Sequence, residues 1–418
     1  MRMIVPLLFC LGLSGAEAAT AGDVTLRVWD LDGSAARVGA PVFVEIDARD
    51  LFGKEEPPPN LYLLEIDGAP DAGTPLVSVQ FEPHVPGVRP ARLWWLMPEG
   101  QAGERRFGLS AGREGPGPGL GNHYDWDRRQ VNVLEGSTRV LRYNHGSVPV
   151  PEGTHPHFAA GESYERGDYI HPLYGPHGEE LTEDYPKDHP HHRGVWWSWP
   201  VTRWKDRVAD IWAVVGVWSR PADVPCRWTV GRVCATVEAD NVWKFGKQEY
   251  PIVRERVLIR AFPERDGCRF LDVEVQLTAL ADDVAIGGRP KAGYGGFSLR
   301  AAPCEDRKIT LHLDPEGSDP RRSWIDYSGL FTGGQGKSGV AIFEHVTNPD
   351  YPNPLHEYPG CNCVMPAYPE MREVVLSKDE PLVLKHRLWV HPGGPDQSKL
   401  ADVWTAYAKP PKVTIEKQ

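Results

Sequence analysis

The stretch from Ile252 to Leu277 leaves the chain few choices of fold. Ile252 to Phe262 and Phe270 to Leu277 alternate apolar and polar residues, and the Pro263-Glu264-Arg265-Asp266-Gly267-Cys268 segment between them contains the Asp-Gly pair of a tight hairpin. A period of two puts Leu271, Val273, Val275 and Leu277 on one face and Asp272, Glu274 and Gln276 on the other. An apolar face of that length has to be covered by a second layer. Ile309 to Leu313, Gly339 to Phe343 and Leu382 to Val390 read as further strands, and only Gln397 to Ala408 has helical spacing, with Leu400, Val403, Trp404 and Tyr407 on one side. No repeat of about 20–50 residues is visible, which argues against a propeller or solenoid. The expected class is all-β: a large antiparallel, supersandwich-like β-sandwich over 136–418, closed by a short C-terminal helix.

The segment 19–135 reads as a smaller N-terminal β-sandwich domain. Val24 to Trp29, Val42 to Ile46 and Leu61 to Ile66 are its candidate strands, with turn-forming residues such as Glu56-Pro57-Pro58-Pro59-Asn60 between them. Gly112 to Gly119 reads as a loop or linker. Ahead of this domain, a cationic start, an apolar run from Ile4 to Leu13 and Ala16-Glu17-Ala18 form a secretory signal over 1–18, which predicts a periplasmic or secreted protein. No later stretch approaches about 20 apolar residues, so membrane insertion is not expected. A formal net charge of -11 disfavours nucleic acid as a partner. Six cysteines remain once Cys10 leaves with the signal. Export permits disulfides; Cys226 and Cys234 flank a candidate hairpin, and Cys361-Asn362-Cys363 is a close pair, but neither has doubled zinc-knuckle spacing.

The densest chemical signal is Asp188-His189-Pro190-His191-His192-Arg193, followed by Gly194-Val195-Trp196-Trp197. Pro190 lacks an amide hydrogen and blocks a regular central strand, so the histidines belong on a loop entering the strand at Val195. In one reading neutral imidazoles bind a divalent metal ion: in an extended segment His189 and His191 share a face, with Glu344 and His345 as distant candidates for further ligands and His145 and His171 behind them. In another reading no metal is present; His191 or His192 acts as general acid or base and Arg193 clamps a carboxylate or sugar oxygen. A third reading is a surface cluster without a task.

Glu255 lies on the apolar side of its strand with Val253, Val257 and Ile259, where a carboxylate is costly unless paired. It is a candidate catalytic acid or base, or half of a structural ion pair. Trp196 and Trp197 offer indole surface for a sugar ring, against the commoner use of tryptophan in a core. Tyr294, Arg300 and Asp326 sit in loop-like blocks that could rim the same pocket as substrate contacts. No G-x-S-x-G elbow, phosphate-binding loop, H-E-x-x-H or dinucleotide fingerprint is present.

Asp168-Tyr169-Ile170-His171-Pro172-Leu173-Tyr174-Gly175-Pro176-His177-Gly178 and Asp188 to Trp196, with the later blocks Tyr294-Gly295-Gly296, Trp324 to Gly329 and Phe343 to Pro349, resemble an exported bacterial family labelled methane oxygenase, PmoA-like. The resemblance covers most of 136–395 and departs at Glu344, where relatives often carry aspartate. The label implies a copper-dependent oxygenase. A more distant resemblance to galactose-mutarotase-like β-sandwiches implies sugar handling. The leading expectation is an exported carbohydrate-active enzyme, a hydrolase, lyase or epimerase on a sugar or oxidised sugar. Non-catalytic glycan binding is the rival.

Overall fold

The protein is described here from a computed structural model, in which residues 24–66, 76–85, 89–112, 119–154, 165–224 and 226–417 are placed. The expected signal segment and the linker residues 113–118 lie outside them. The chain is all-β, with a short C-terminal helix. The long hairpin forms as its alternation dictates. Tyr250–Ala261 and Arg269–Ala279 pair antiparallel with Ala261 opposite Leu271. At the turn Arg265 and Cys268 exchange backbone hydrogen bonds, and Asp266 and Gly267 both take positive φ, as a two-residue primed turn requires.

These strands centre a nine-stranded antiparallel sheet that continues through Leu382–Pro392, Ser338–Glu344, Ser323–Phe331 and Cys304–Leu313 on one side and Ala235–Phe245 on the other. Opposite it lies an eight-stranded sheet. Its order is Leu355–Tyr358, Cys363–Pro366, Gly296–Arg300, Val195–Ser198, Tyr169–Leu173, Thr138–Asn144, Gln130–Glu135 and Leu120–Asp125. Inner-face residues of both sheets, among them Val133, Trp197, Phe297 and Leu299 from one and Val237, Trp243, Val257 and Val273 from the other, form one core.

A second, smaller sandwich pairs Val24–Asp30, Gly103–Ser110 and Tyr62–Glu65 against Pro41–Ile46 and Ala91–Leu96, around Leu26, Leu63, Leu93, Trp95 and Phe107. Its extent differs from the expected 19–135. Gln130–Glu135 is tied to Thr138–Asn144 by a two-residue loop at Gly136, so it and its neighbour Leu120–Asp125 must lie in the large sheet. The final strand, Lys412–Lys417, returns to pair with Val24–Asp30. Two five-residue helices, Ser34–Val38 and Ala48–Phe52, are too short to show periodicity in the sequence. The C-terminal helix Gln397–Ala408 is capped by Asp396 and buries Leu400, Val403 and Trp404 against Trp324, Phe343 and Trp389 on the outer face of the nine-stranded sheet. All six described cysteines are free thiols.

Burial inside this sandwich makes one histidine a pH liability. His386 is 3 % exposed and stacks on Phe297 with ring centroids 4.1 Å apart. Burial alone lowers its pKa to about 3. The unfolded chain takes up a proton below about pH 6.5 that the folded chain refuses, so this contribution to stability is present above that pH and is lost as pH falls towards 3. Between pH 6.5 and 5 the loss should be about 2 kcal/mol. Urea unfolding at the two pH values should show that slope in the wild type and a shallower one in His386→Leu; equal slopes would contradict it.

Candidate functional site

The histidine segment is a turn, not an extended strand. Pro190 has the fixed φ that suits the second position of a β-turn, and the His192 amide donates to the His189 carbonyl at 2.8 Å. This brings residue i against residue i+3: the His189 and His192 rings stack with centroids 4.7 Å apart and 16° between planes. His191, expected beside His189, stands 5.7 Å from it and meets His192 edge-on at 4.7 Å. Arg193, the expected substrate clamp, is fully buried behind the turn. Its Nη1 donates to the carbonyls of Pro190 and His192 at 2.5 and 2.8 Å, and its guanidinium lies 3.5 Å from the Tyr185 ring centroid. It shapes the turn instead of facing a ligand. Gly194 completes this close approach, since a Cβ there would sit 2.2 Å from the Ile170 carbonyl oxygen.

From Val195 the strand splits its side chains between two environments. Trp197 points inward with Phe297, whereas Trp196 joins Tyr169, Trp212, Cys363 and Met365 on the outer face. Register carries the split sideways: Trp196 faces Ser298, Trp197 faces Phe297, and Arg300 faces Cys363. The outer face therefore presents Trp196, Arg300 and Cys363 beneath the histidine turn. His192 packs on Trp196 and Trp212 at 5.2 and 5.5 Å.

A cavity of about 150 Å³ opens there. Its lining includes the three histidines, Trp212, Arg289, Tyr294, Tyr358 and Cys361. That volume accepts a group of single-ring size. A larger cleft of about 1130 Å³ runs along the N-terminal sandwich past Pro57, Pro58 and Pro59. Two of its acids are already engaged, Asp47 as a helix cap and Glu55 with Arg49, whereas the smaller cavity gathers the three histidines.

Charge in the small site is arranged from below. Arg300, nearly buried, holds Asp188 through two hydrogen bonds of 2.7 and 3.1 Å and Glu183 through two more of 2.9 and 3.0 Å. Partial burial works against ionisation of Asp188, but the Arg300 and His189 hydrogen bonds outweigh it and take the pKa to about 2. His189, 39 % exposed, donates from Nδ1 to Asp188 Oδ2 at 2.9 Å, because a carboxylate can only accept. Burial, then the neighbouring imidazoles and Arg300, holds His192 well below the usual histidine range, so it is neutral. Hydrogen bonding with Cys363 and the Arg300 charge pull the Cys361 thiol down to about 7, while burial pushes Cys363 far up.

The structure thus gathers His189, His191, His192, Trp196, Tyr294 and Arg300, although Trp196 is fully buried beneath His192, Arg300 is occupied by carboxylates, and neither lines the cavity. It sets the other expected site residues elsewhere. Glu255 is on the inner face, 1 % exposed, taking hydrogen bonds from the indole N–H groups of Trp197 and Trp243. The sheet carrying Trp196 and Trp197 separates it from the histidines. Burial and the Asp168 carboxylate raise its pKa well above the normal range. Asp326 is paired in the interior with His391 at 2.7 Å. Glu344 is buried, accepts from the backbone and side-chain amides of Asn353, and is raised by burial to about 7. His345 hydrogen-bonds Thr347 and packs on Tyr407 of the C-terminal helix. Among the described residues, the ligand atoms that converge are those of His189, His192 and Cys361, all within 4.8 Å of one another. Trp212, Arg289, Tyr358 and Cys361 were not expected in the site; only Cys361 had a sequence signal, its spacing to Cys363.

The chain matches DUF6807, a family of unknown function, over residues 130–405, and it belongs to that family. The match takes in the nine-stranded sheet, the eight-stranded sheet apart from Leu120–Asp125, and the histidine turn, and it leaves out the strands of the N-terminal sandwich. No curated protein matches the chain.

Proposed function

We propose that this DUF6807 protein is a carbohydrate-active enzyme working at the histidine pocket, a hydrolase, lyase or epimerase on a small sugar or oxidised sugar. One observation carries the reading: three imidazoles converge in an aromatic-walled hollow of single-ring size. Tyr294, Tyr358 and Trp212 pack against one another along one wall, offering faces to the C–H side of a sugar ring. Arg289, whose Nε donates to the Tyr294 hydroxyl at 2.9 Å, supplies positive charge for a carboxylate or ring oxygen. His191 is assigned proton transfer, a role suited to imidazole near neutral pH. Buried Glu255 takes no part.

The test is turnover of single sugars, sugar lactones and uronic acids by the purified chain. Wild-type protein should act on one of these classes, and His191→Ala should lower kcat by about 10²–10⁴-fold with an unchanged unfolding midpoint. No turnover on any class, or equal turnover by the variant, would remove the reading. Non-catalytic glycan binding has one observation in its favour. Trp126, 68 % exposed, and Tyr124 form an aromatic platform with Trp228 at the far edge of the same sheet, Tyr124 and Trp228 stacking at 5.3 Å. Glycan binding without turnover, retained in His191→Ala, decides for it.

A further inference from the structure

We propose that His189, His192 and Cys361 form a site for one thiolate-accepting transition-metal ion, of the zinc or copper class. The first support is geometric. One ligand atom from each residue lies within 4.8 Å of the other two. Bonds of about 2.0–2.1 Å to imidazole nitrogen and about 2.3 Å to sulfur set tetrahedral ligands roughly 3.5 Å apart. Closing the site needs a contraction of about an ångström, within reach of side-chain rotation at His189 and Cys361, neither of which is fully buried.

The donor set selects the ion. Two imidazoles and a thiolate suit zinc and copper; magnesium and calcium prefer oxygen ligands. The backbone prepares the set from two distant parts of the chain. The turn at Pro190 stacks His189 on His192, and a 3-10 turn, Pro359–Cys361, ending on Asn362 at φ 49°, presents Cys361 across from them.

The surroundings carry a second, independent sign. Asp188 accepts from His189 Nδ1 and so fixes the orientation of that ring at the pocket. Asp188 is in turn fixed by two hydrogen bonds from Arg300. A carboxylate that orients a histidine from behind is the usual outer partner of a metal-bound imidazole. The cavity supplies the third sign. Three protein ligands at the edge of an open hollow leave a coordination position for a substrate atom, the arrangement of reactive rather than structural sites. His191 is outside the ligand set. The metal assignment rests on ligand geometry and does not depend on the substrate being a sugar.

The experiment uses the full chain, purified under reducing conditions, stripped with chelator and titrated with Zn²⁺, Cu⁺ and, as a spectroscopic probe, Co²⁺. About one equivalent should bind, and the Co²⁺ form should show a sulfur-to-metal charge-transfer band with the strong visible bands of a four-coordinate ion. Cys361→Ser should lose the charge-transfer band and tight binding. Asp188→Asn should weaken binding by about 10–100-fold. Cys226→Ser, a buried thiol elsewhere in the fold, should bind as the wild type does. Three outcomes would overturn the site: Co²⁺ bound without the sulfur band, unchanged affinity in Cys361→Ser, or two of the six thiols absent because Cys361 and Cys363 are joined. Binding is read without substrate, so its failure leaves the enzyme reading standing, and absence of turnover leaves the metal site standing.

Discussion

Glu255→Ala should destabilise the protein by about 4–6 kcal/mol, a large part of the stability of an ordinary domain. The carboxyl group accepts from two buried indoles, those of Trp197 and Trp243, and is hydrogen-bonded to buried Asp168. Removing it strands the two buried indole N–H groups at about 1–3 kcal/mol each, while Asp168 keeps the hydroxyls of Tyr143 and Ser219, and the cavity adds to this cost. Glu255→Gln keeps one acceptor and a donor for Asp168 but leaves one indole unmatched, so it should cost about 1–3 kcal/mol. The pH dependence follows from the raised pKa. The folded protein keeps a proton on Glu255 that the unfolded chain releases above about pH 4.5, so this contribution is full below that pH and is lost as pH rises towards the folded value. Glu255→Gln should flatten that part of the stability profile. Urea unfolding across pH measures both effects. An alanine variant with wild-type stability and no turnover would restore Glu255 as a working group of the site.

Arg300→Met should reduce kcat by about 10²-fold while leaving KM within a few-fold, the pattern of lost positioning in place of lost substrate binding. Arg300 spends its guanidinium on Asp188 and Glu183, and through Asp188 it sets the orientation of His189. Both carboxylates are partly exposed, 41 % for Asp188 and 26 % for Glu183, so they can return to water when the cation is removed. The stability cost should therefore be about 1–3 kcal/mol, less than for a fully buried pair. Steady-state kinetics on the identified substrate decides between the two roles. A rise in KM with kcat preserved would return Arg300 to the role of substrate contact.

The histidine turn shows how far local reading carries. The density of histidines and the proline among them marked the segment as a candidate site on a loop, because a proline there excludes a regular central strand. The pairing of the rings came out differently from the extended-strand expectation. A turn closes residue i onto i+3 and brings His192, not His191, against His189. Glu255 shows the complementary limit. Period-two alternation placed it correctly on an apolar face, and the burial that follows is what raises its pKa. Alternation does not say whether an apolar face closes on a core or lines a pocket. Cys361 and Arg289 enter the site from a 3-10 turn and a loop that are remote in sequence, and no local pattern records which sheet edge folds over which turn.

Alternation, turn chemistry and helical spacing act over a few neighbouring residues, so the chain alone decided the all-β class, the Asp266-Gly267 hairpin and the terminal helix. Strand order decided the rest. Pairing Val195–Ser198 beside Gly296–Arg300 and Cys363–Pro366 set Trp196, Arg300 and Cys363 on one face and Trp197 with Glu255 on the other. Those contacts are long-range, fixed by the burial of both sheets against each other, and only the assembled sandwich determines them.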